Sequence, residues 1–192
     1  MLRRRLRSTV LAGALAASAL AASGCASGRE GGAGREGRPE QIGPLAYEVY
    51  LTRQLNLHDV EDSAYYQGPE APPGYALFGV FVSVCNESRG GPSFPAAAVG
   101  NYKIRDTNDD EFSPLPLPPN NIFAYHQGTV PHRDCIPRSG SIASGAPTGG
   151  AMLLFQLPLQ AIENRPLDLI IQGPTNPATG RSYGVKKIEL DI

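Results

Sequence analysis

From residue 45 onward, apolar and polar positions alternate with a period of two more often than with one of 3.6, and Pro and Gly interrupt the pattern throughout. Residues 47–57 form the first run, with Tyr47, Val49 and Leu51 on one face and Glu48, Tyr50 and Thr52 on the other. Residues 75–86 (YALFGVFVSVCN) are nearly continuous in β-branched and aromatic side chains, the pattern of a central strand buried on both faces. YKIRD at 102–106 and residues 111–115 flank the polar turn Thr107-Asn108-Asp109-Asp110, which predicts a hairpin. AMLLFQL at 151–157, stopped by Pro158, predicts a second central strand, and LDLIIQ (167–172) and VKKIELDI (185–192) complete the set. Only residues 159–164 read as a helical turn.

Seven short strands separated by turn signals, in one domain's worth of chain (residues 45–192), predict an all-β, antiparallel β-sandwich of immunoglobulin-like class. No tryptophan is present, so the buried Trp that marks antibody-type domains is missing. Two long stretches, 58–74 and 116–150, lack a strand pattern. Loops of this length in a compact domain are functional or disordered. Tyr65, Tyr66, Phe123 and Tyr125 within them argue for packing against the body and make these the candidate binding loops.

The start of the chain has a different character. Arg3, Arg4, Arg5 and Arg7 precede an apolar stretch from Val10 to Ala22, which is shorter than the roughly 20 residues a membrane-spanning helix needs. It has the form of a secretory signal over residues 1–24. Ser23 and Gly24 lead straight into Cys25, an arrangement that resembles the lipobox of bacterial lipoproteins, with Ala22 where that motif most often has Leu. The resemblance implies acylation of Cys25 and a lipid-anchored protein on the extracytoplasmic side of the cell membrane. Residues 25–44 (CASGREGGAGREGRPEQIGP), with six glycines and two prolines, have almost nothing to bury and predict a disordered tether of about 25 Å typical reach.

Loss of the signal removes four of the 17 basic residues and leaves 13 against 18 acids, net −5. Such a domain lacks the basic footprint that nucleic acid requires. Beyond Cys25 the remaining cysteines are Cys85 and Cys135. In an exported protein a lone pair is bridged more often than free, so a structural disulfide is expected, with two buried thiols or a redox pair as the alternatives.

Three segments carry a likeness to a known family: GVFVSVCNES, YKIRDTNDDEF and AMLLFQLPLQAIENRPLDLII. Together they resemble the Ig-like extracellular lipoprotein domains of unknown function of high-GC Gram-positive bacteria, which are similar in fold to secreted immunoprotective antigens of mycobacteria. The matching positions are Val84-Cys85-Asn86 at a strand end, Asp106 with Phe112 in the hairpin, and Phe155-Gln156-Leu157-Pro158, preceded by Gly149 and Gly150. The resemblance covers residues 45–192 apart from 116–144, and it implies a fold and a location without any catalytic residue.

The densest group of potential metal ligands is His126, His132, Asp134 and Cys135, whose spacing matches no standard zinc pattern. Asp106 to Glu111 has the look of a calcium loop, but Glu111 stands where glycine is required and Leu117 where a bidentate acid is required. His58, Asp59, Glu61 and Asp62 read as a solvated acidic loop. No G-x-S-x-G elbow is present. Asn86-Glu87-Ser88 matches a glycosylation sequon by coincidence. The expectation is therefore a non-catalytic binding or accessory module without cofactor or metal, acting on an envelope protein, a peptide or a cell-wall ligand. The alternative is an envelope hydrolase or metal-handling lipoprotein that uses the segment from His126 to Cys135.

Overall fold

The structure is a computed structural model and describes residues 32–88 and 90–192. The expected signal peptide, Cys25 and the first part of the tether lie outside the described residues.

In chain order the elements are β1 (Gly34–Arg35), β2 (Glu40–Ile42), β3 (Leu45–Leu55), α1 (Val60–Tyr65), β4 (Tyr75–Cys85), β5 (Phe94–Pro95), β6 (Tyr102–Arg105), β7 (Glu111–Phe112), β8 (Thr129–Val130), β9 (Cys135–Ile136), α2 (Ile142–Gly145), β10 (Ala151–Pro158), α3 (Leu159–Glu163), β11 (Leu167–Gln172) and β12 (Val185–Leu190). One sheet has the order β10-β4-β3-β2, with β9 also on β4, and the other β1-β12-β11-β6-β7. The seven expected strands are β3, β4, β6, β7, β10, β11 and β12. Lettered A to G, they give an E-B-A sheet facing a G-F-C sheet that also carries the fourth strand, an immunoglobulin-like arrangement. Every pairing among these seven is antiparallel.

The two sheets close over one core. Phe78, Val80, Val82 and Val84 of β4 and Leu153, Phe155 and Leu157 of β10 meet Tyr102, Ile104, Leu169, Ile171 and Ile188 of the opposite sheet. The other face of β4 and β10 bears Leu77, Phe81, Met152 and Leu154, which form a second buried cluster with Leu55 and Tyr65. That second cluster is why β4 reads as continuously apolar: both of its faces are covered. At the head of β10, a Cβ on Gly150 would lie 2.9 Å from the Phe81 and Val82 backbone, so only glycine lets the strands approach there.

Four expectations are corrected. First, the tether does not run to Pro44. β1 pairs in parallel with β12, β2 pairs with β3, and Ile42 is buried in the core, so the folded body starts at Gly34 rather than at the expected residue 45. Short strands that join a sheet edge show little pattern of their own. Second, the register of β3 shifts between Val49 and Leu51. A bulge adds one residue to the strand and reverses the facing of those beyond it. Tyr47 and Val49 are therefore in the core, while Leu51 turns outward at 37% exposure and Thr52 turns inward.

Third, residues 111–115 are not one strand. β7 ends at Phe112, and Leu115 crosses to the other sheet, where its N–H donates to Leu154 O at 2.7 Å. Fourth, the stretches at 58–74 and 116–150 are not wholly irregular. They contain α1, α2, β8 and β9. Asp59 caps α1, with its Oδ1 accepting from Glu61 N–H at 2.8 Å, and Glu61 and Asp62 sit in the first turn, favoured there by the helix dipole. That Asp-x-Glu-Asp signature was present in the sequence.

Candidate functional site: a loop-built cleft on the outer sheet face

The two long loops fold together over the outer face of the β10-β4-β3 sheet. A chain of edge-to-face rings holds them there. Phe81 of β4 meets Tyr65 at 5.0 Å between centroids, and Tyr65 meets Phe123 at 4.9 Å. The Asn121 side chain then bonds one loop to the other, donating from Nδ2 to Tyr65 O at 2.9 Å. The second loop also closes the open edge of β10. Tyr125 N–H donates to Met152 O at 2.8 Å, and Met152 N–H donates to Phe123 O at 2.6 Å.

Cys85 and Cys135 are bonded in a disulfide between directly opposed residues of β4 and β9, which ties the second loop covalently to the central strand. Asn86, the next residue, is buried. Its Nδ2 donates to Val130 O at 3.0 Å and its Oδ1 accepts from Ser88 Oγ at 2.7 Å. The sequon asparagine is thus a loop clamp with no outward-facing amide.

Of the four aromatic loop residues, two anchor and two border open space. Tyr65 is 2% exposed and Tyr125 4%. Tyr125 reaches the main core, where its hydroxyl donates to Ala97 O at 2.8 Å while Ala97 N–H donates to the Tyr47 hydroxyl at 3.0 Å. Burial raises the pKa of Tyr47 to about 12 and that of Tyr125 further still. Tyr66 lines an open cleft of about 600 Å³ between residues 64–69 and 116–122. Phe123 lines an adjoining hollow of about 440 Å³ with Ile142 and Pro147. Ile122 and Ile142 are exposed beside these spaces. Gln67, Gly68, Asn120 and Ile122 complete the cleft and carry no motif that sequence reasoning could have found.

The remaining candidates are accounted for individually. His126 Nε2 lies 3.2 Å from Asn121 O, and His132 Nδ1 accepts from Gly90 N–H at 3.4 Å. Asp134 Oδ1 accepts from the Cys135 N–H, and Cys135, being in a disulfide, offers no thiolate. No group of three or more His, Cys, Asp or Glu is placed to hold a metal ion among the described residues. Asp106 is buried at the base of its hairpin, with Oδ1 accepting from the N–H groups of Asn108 (2.9 Å) and Asp110 (3.0 Å). Asp109 and Glu111 face Arg105. His58 pairs with Glu70 at the surface, while Glu61 and the buried Asp62 both bind Arg53 at 2.8 Å and fasten α1 to β3.

No protein-family model and no curated protein sequence matches the chain. In structure it is similar to the yjhA protein from Bacillus subtilis, with a TM-score of 0.46 and 13% identity over 82% of this chain and 99% of that one. It is also similar to a putative lipoprotein (ycdA) from Bacillus subtilis subsp. subtilis str. 168, with a TM-score of 0.47 and 10% identity over 80% of this chain and 38% of that one. With TM-scores under 0.5, neither likeness speaks to function. Among the described residues, no helix is long and apolar enough to cross a membrane.

Proposed function

We propose that this protein is a lipid-anchored, non-catalytic binding module on the extracytoplasmic face of the cell membrane, acting on an envelope protein, peptide or cell-wall ligand through its two long loops. The anchor rests on the arginine-fronted apolar segment that ends in Ser23-Gly24-Cys25. The family resemblance in residues 45–192 agrees with that location. The binding role rests on one observation: the loops that cover the outer sheet face are pinned by a disulfide and an aromatic chain, yet leave a cleft between them. No carboxylate, imidazole, thiol or ammonium group lines that cleft, which supports binding rather than acid–base or nucleophilic chemistry.

Two measurements test the reading. Cys25→Ser should move the protein from the detergent phase to the aqueous phase, because two or more acyl chains hold a protein far more firmly than one. Unchanged partitioning would refute the anchor. Cross-linking on intact cells should give adducts whose yield falls in Tyr66→Ala, and an equal yield in that variant would refute the cleft as the binding surface.

A further inference from the structure

We infer that the cleft between residues 64–69 and 116–122 takes an uncharged saccharide, with the Tyr66 ring as its stacking platform and the Gln67 and Asn120 amides as its hydrogen-bond partners. This rests on the reading of the loops as a ligand-binding surface and names the ligand class.

Charge is the first ground. No Asp, Glu, His, Lys or Arg lines the cleft, so nothing there would neutralise a phosphate or uronate polymer or an acidic or basic peptide. The second ground is which groups remain available. Asn121 is committed, donating to Tyr65 O and accepting from Phe123 N–H. The Gln67 and Asn120 amides and the Tyr66 hydroxyl, by contrast, form no hydrogen bond among the described residues. Two amides supply both donors and acceptors, which suits a ligand whose hydroxyls are each both.

The third ground is the platform. Gly68 sits so close to the Tyr66 ring that a Cβ there would collide with the ring carbon bearing the hydroxyl, so only glycine at 68 lets the ring keep its place in the cleft wall. A ring with a polar tip beside an apolar face matches a sugar, which has C–H faces and a hydroxyl rim. The volume, about 600 Å³, lies within the range of small-molecule sites.

A peptide fits less well. An added strand needs a free sheet edge, and the second edge of β10 is already bonded by Leu115, Phe123 and Tyr125. A polyproline-type ligand needs a row of exposed rings, whereas Tyr65 is buried.

The test is a panel of uncharged oligosaccharides (N-acetylglucosamine, glucose, galactose and mannose series) beside hyaluronan and polyphosphate, titrated against the full chain in detergent. At least one uncharged series should bind, and the charged probes should not. Tyr66→Ala should weaken binding about tenfold or more, and Gln67→Ala and Asn120→Ala about three- to tenfold each, the contribution of one hydrogen bond. Gly68→Ala should weaken binding while keeping the ring, and Tyr66→Phe should stay within about threefold of the parent. These two variants decide the matter where Tyr66→Ala melts early.

Silence of every uncharged series, preference for a charged probe, or full affinity in both Tyr66→Ala and Gly68→Ala would overturn the inference. If the panel is silent while intact-cell cross-linking still depends on Tyr66, the saccharide is wrong and the binding surface stands. If both are silent, both fall.

Discussion

Phe81→Ala probes the feature that separates this domain from a bare two-sheet sandwich, namely the second apolar cluster on the outer face of β4. Phe81 is fully buried there with Leu77, Met152 and Leu154, and its ring meets Tyr65 edge-to-face at 5.0 Å. Truncation removes the transfer free energy of the ring and leaves a cavity, together about 3–5 kcal/mol. Loss of one aromatic pair, worth about 0.5–1.5 kcal/mol beyond its area, pushes the cost up within that range, and relaxation of the loops into the cavity pulls it down. The cavity is bounded on one side by strands that cannot collapse and on the other by loops that can.

Urea unfolding followed by far-UV circular dichroism measures the loss. Hydrogen exchange adds a second readout, since Phe81 supports Tyr65 and, through it, Phe123. Protection should fall in residues 58–74 and 121–125 before it falls in the core strands. A loss under about 1 kcal/mol, or uniform protection across loops and sheets, would show that the loops do not depend on the outer face.

Cys85→Ser should destabilise the oxidised protein by about 4 kcal/mol, the loop-entropy figure for residues 50 apart, and should change little in the presence of a dithiol reductant. An unaltered melting temperature under oxidising conditions would refute the bridge as a stabiliser. Burial raises the Glu36 pKa, against the pull of the Thr52 N–H on its Oε2. An acid whose folded pKa exceeds its unfolded value binds its proton more tightly when folded, so stability falls as pH rises from the unfolded towards the folded pKa. Glu36→Gln should flatten that slope without loss at neutral pH; an unchanged slope would show that Glu36 is not its source.

Tyr47, raised to about 12, and the more deeply shifted Tyr102 and Tyr125 hold their protons above the ordinary tyrosine range only while folded. Stability should therefore decline as pH rises above about 10, and tyrosinate absorbance should show these three ionising only on unfolding. Their titration in the still-folded protein would contradict the burial.

The positions of the main strands and the hairpin between 102–106 and Phe112 were legible because period-two alternation is a local record of which face is buried. The run at 75–85 is the clearest case. Its uninterrupted apolar character announced covering on both sides, although the sequence alone could not say that loops rather than a third sheet provide it. Cys85 and Cys135 were readable as a pair from their number and the export expected from the first 24 residues, and Asp106 as a turn former from its neighbours.

Other features depended on partners distant in the chain. Nothing near Gly34 or Glu40 reveals that they join strands at Ile188 and Tyr47, because two- and three-residue strands carry no periodicity of their own. The bulge at Tyr50 leaves Leu51 exposed and Thr52 buried, a reversal that depends on the register against β4. The same limit governs the cleft. Tyr65 and Tyr66 are adjacent and chemically alike, yet one is a buried anchor and the other a wall of open space. Side-chain chemistry along the chain determined that this is an all-β domain with aromatic loops. Which aromatic faces solvent, and which amides stand beside it, was decided only when both loops settled on the outer face of β4, because exposure is a property of the assembled neighbours rather than of the residue.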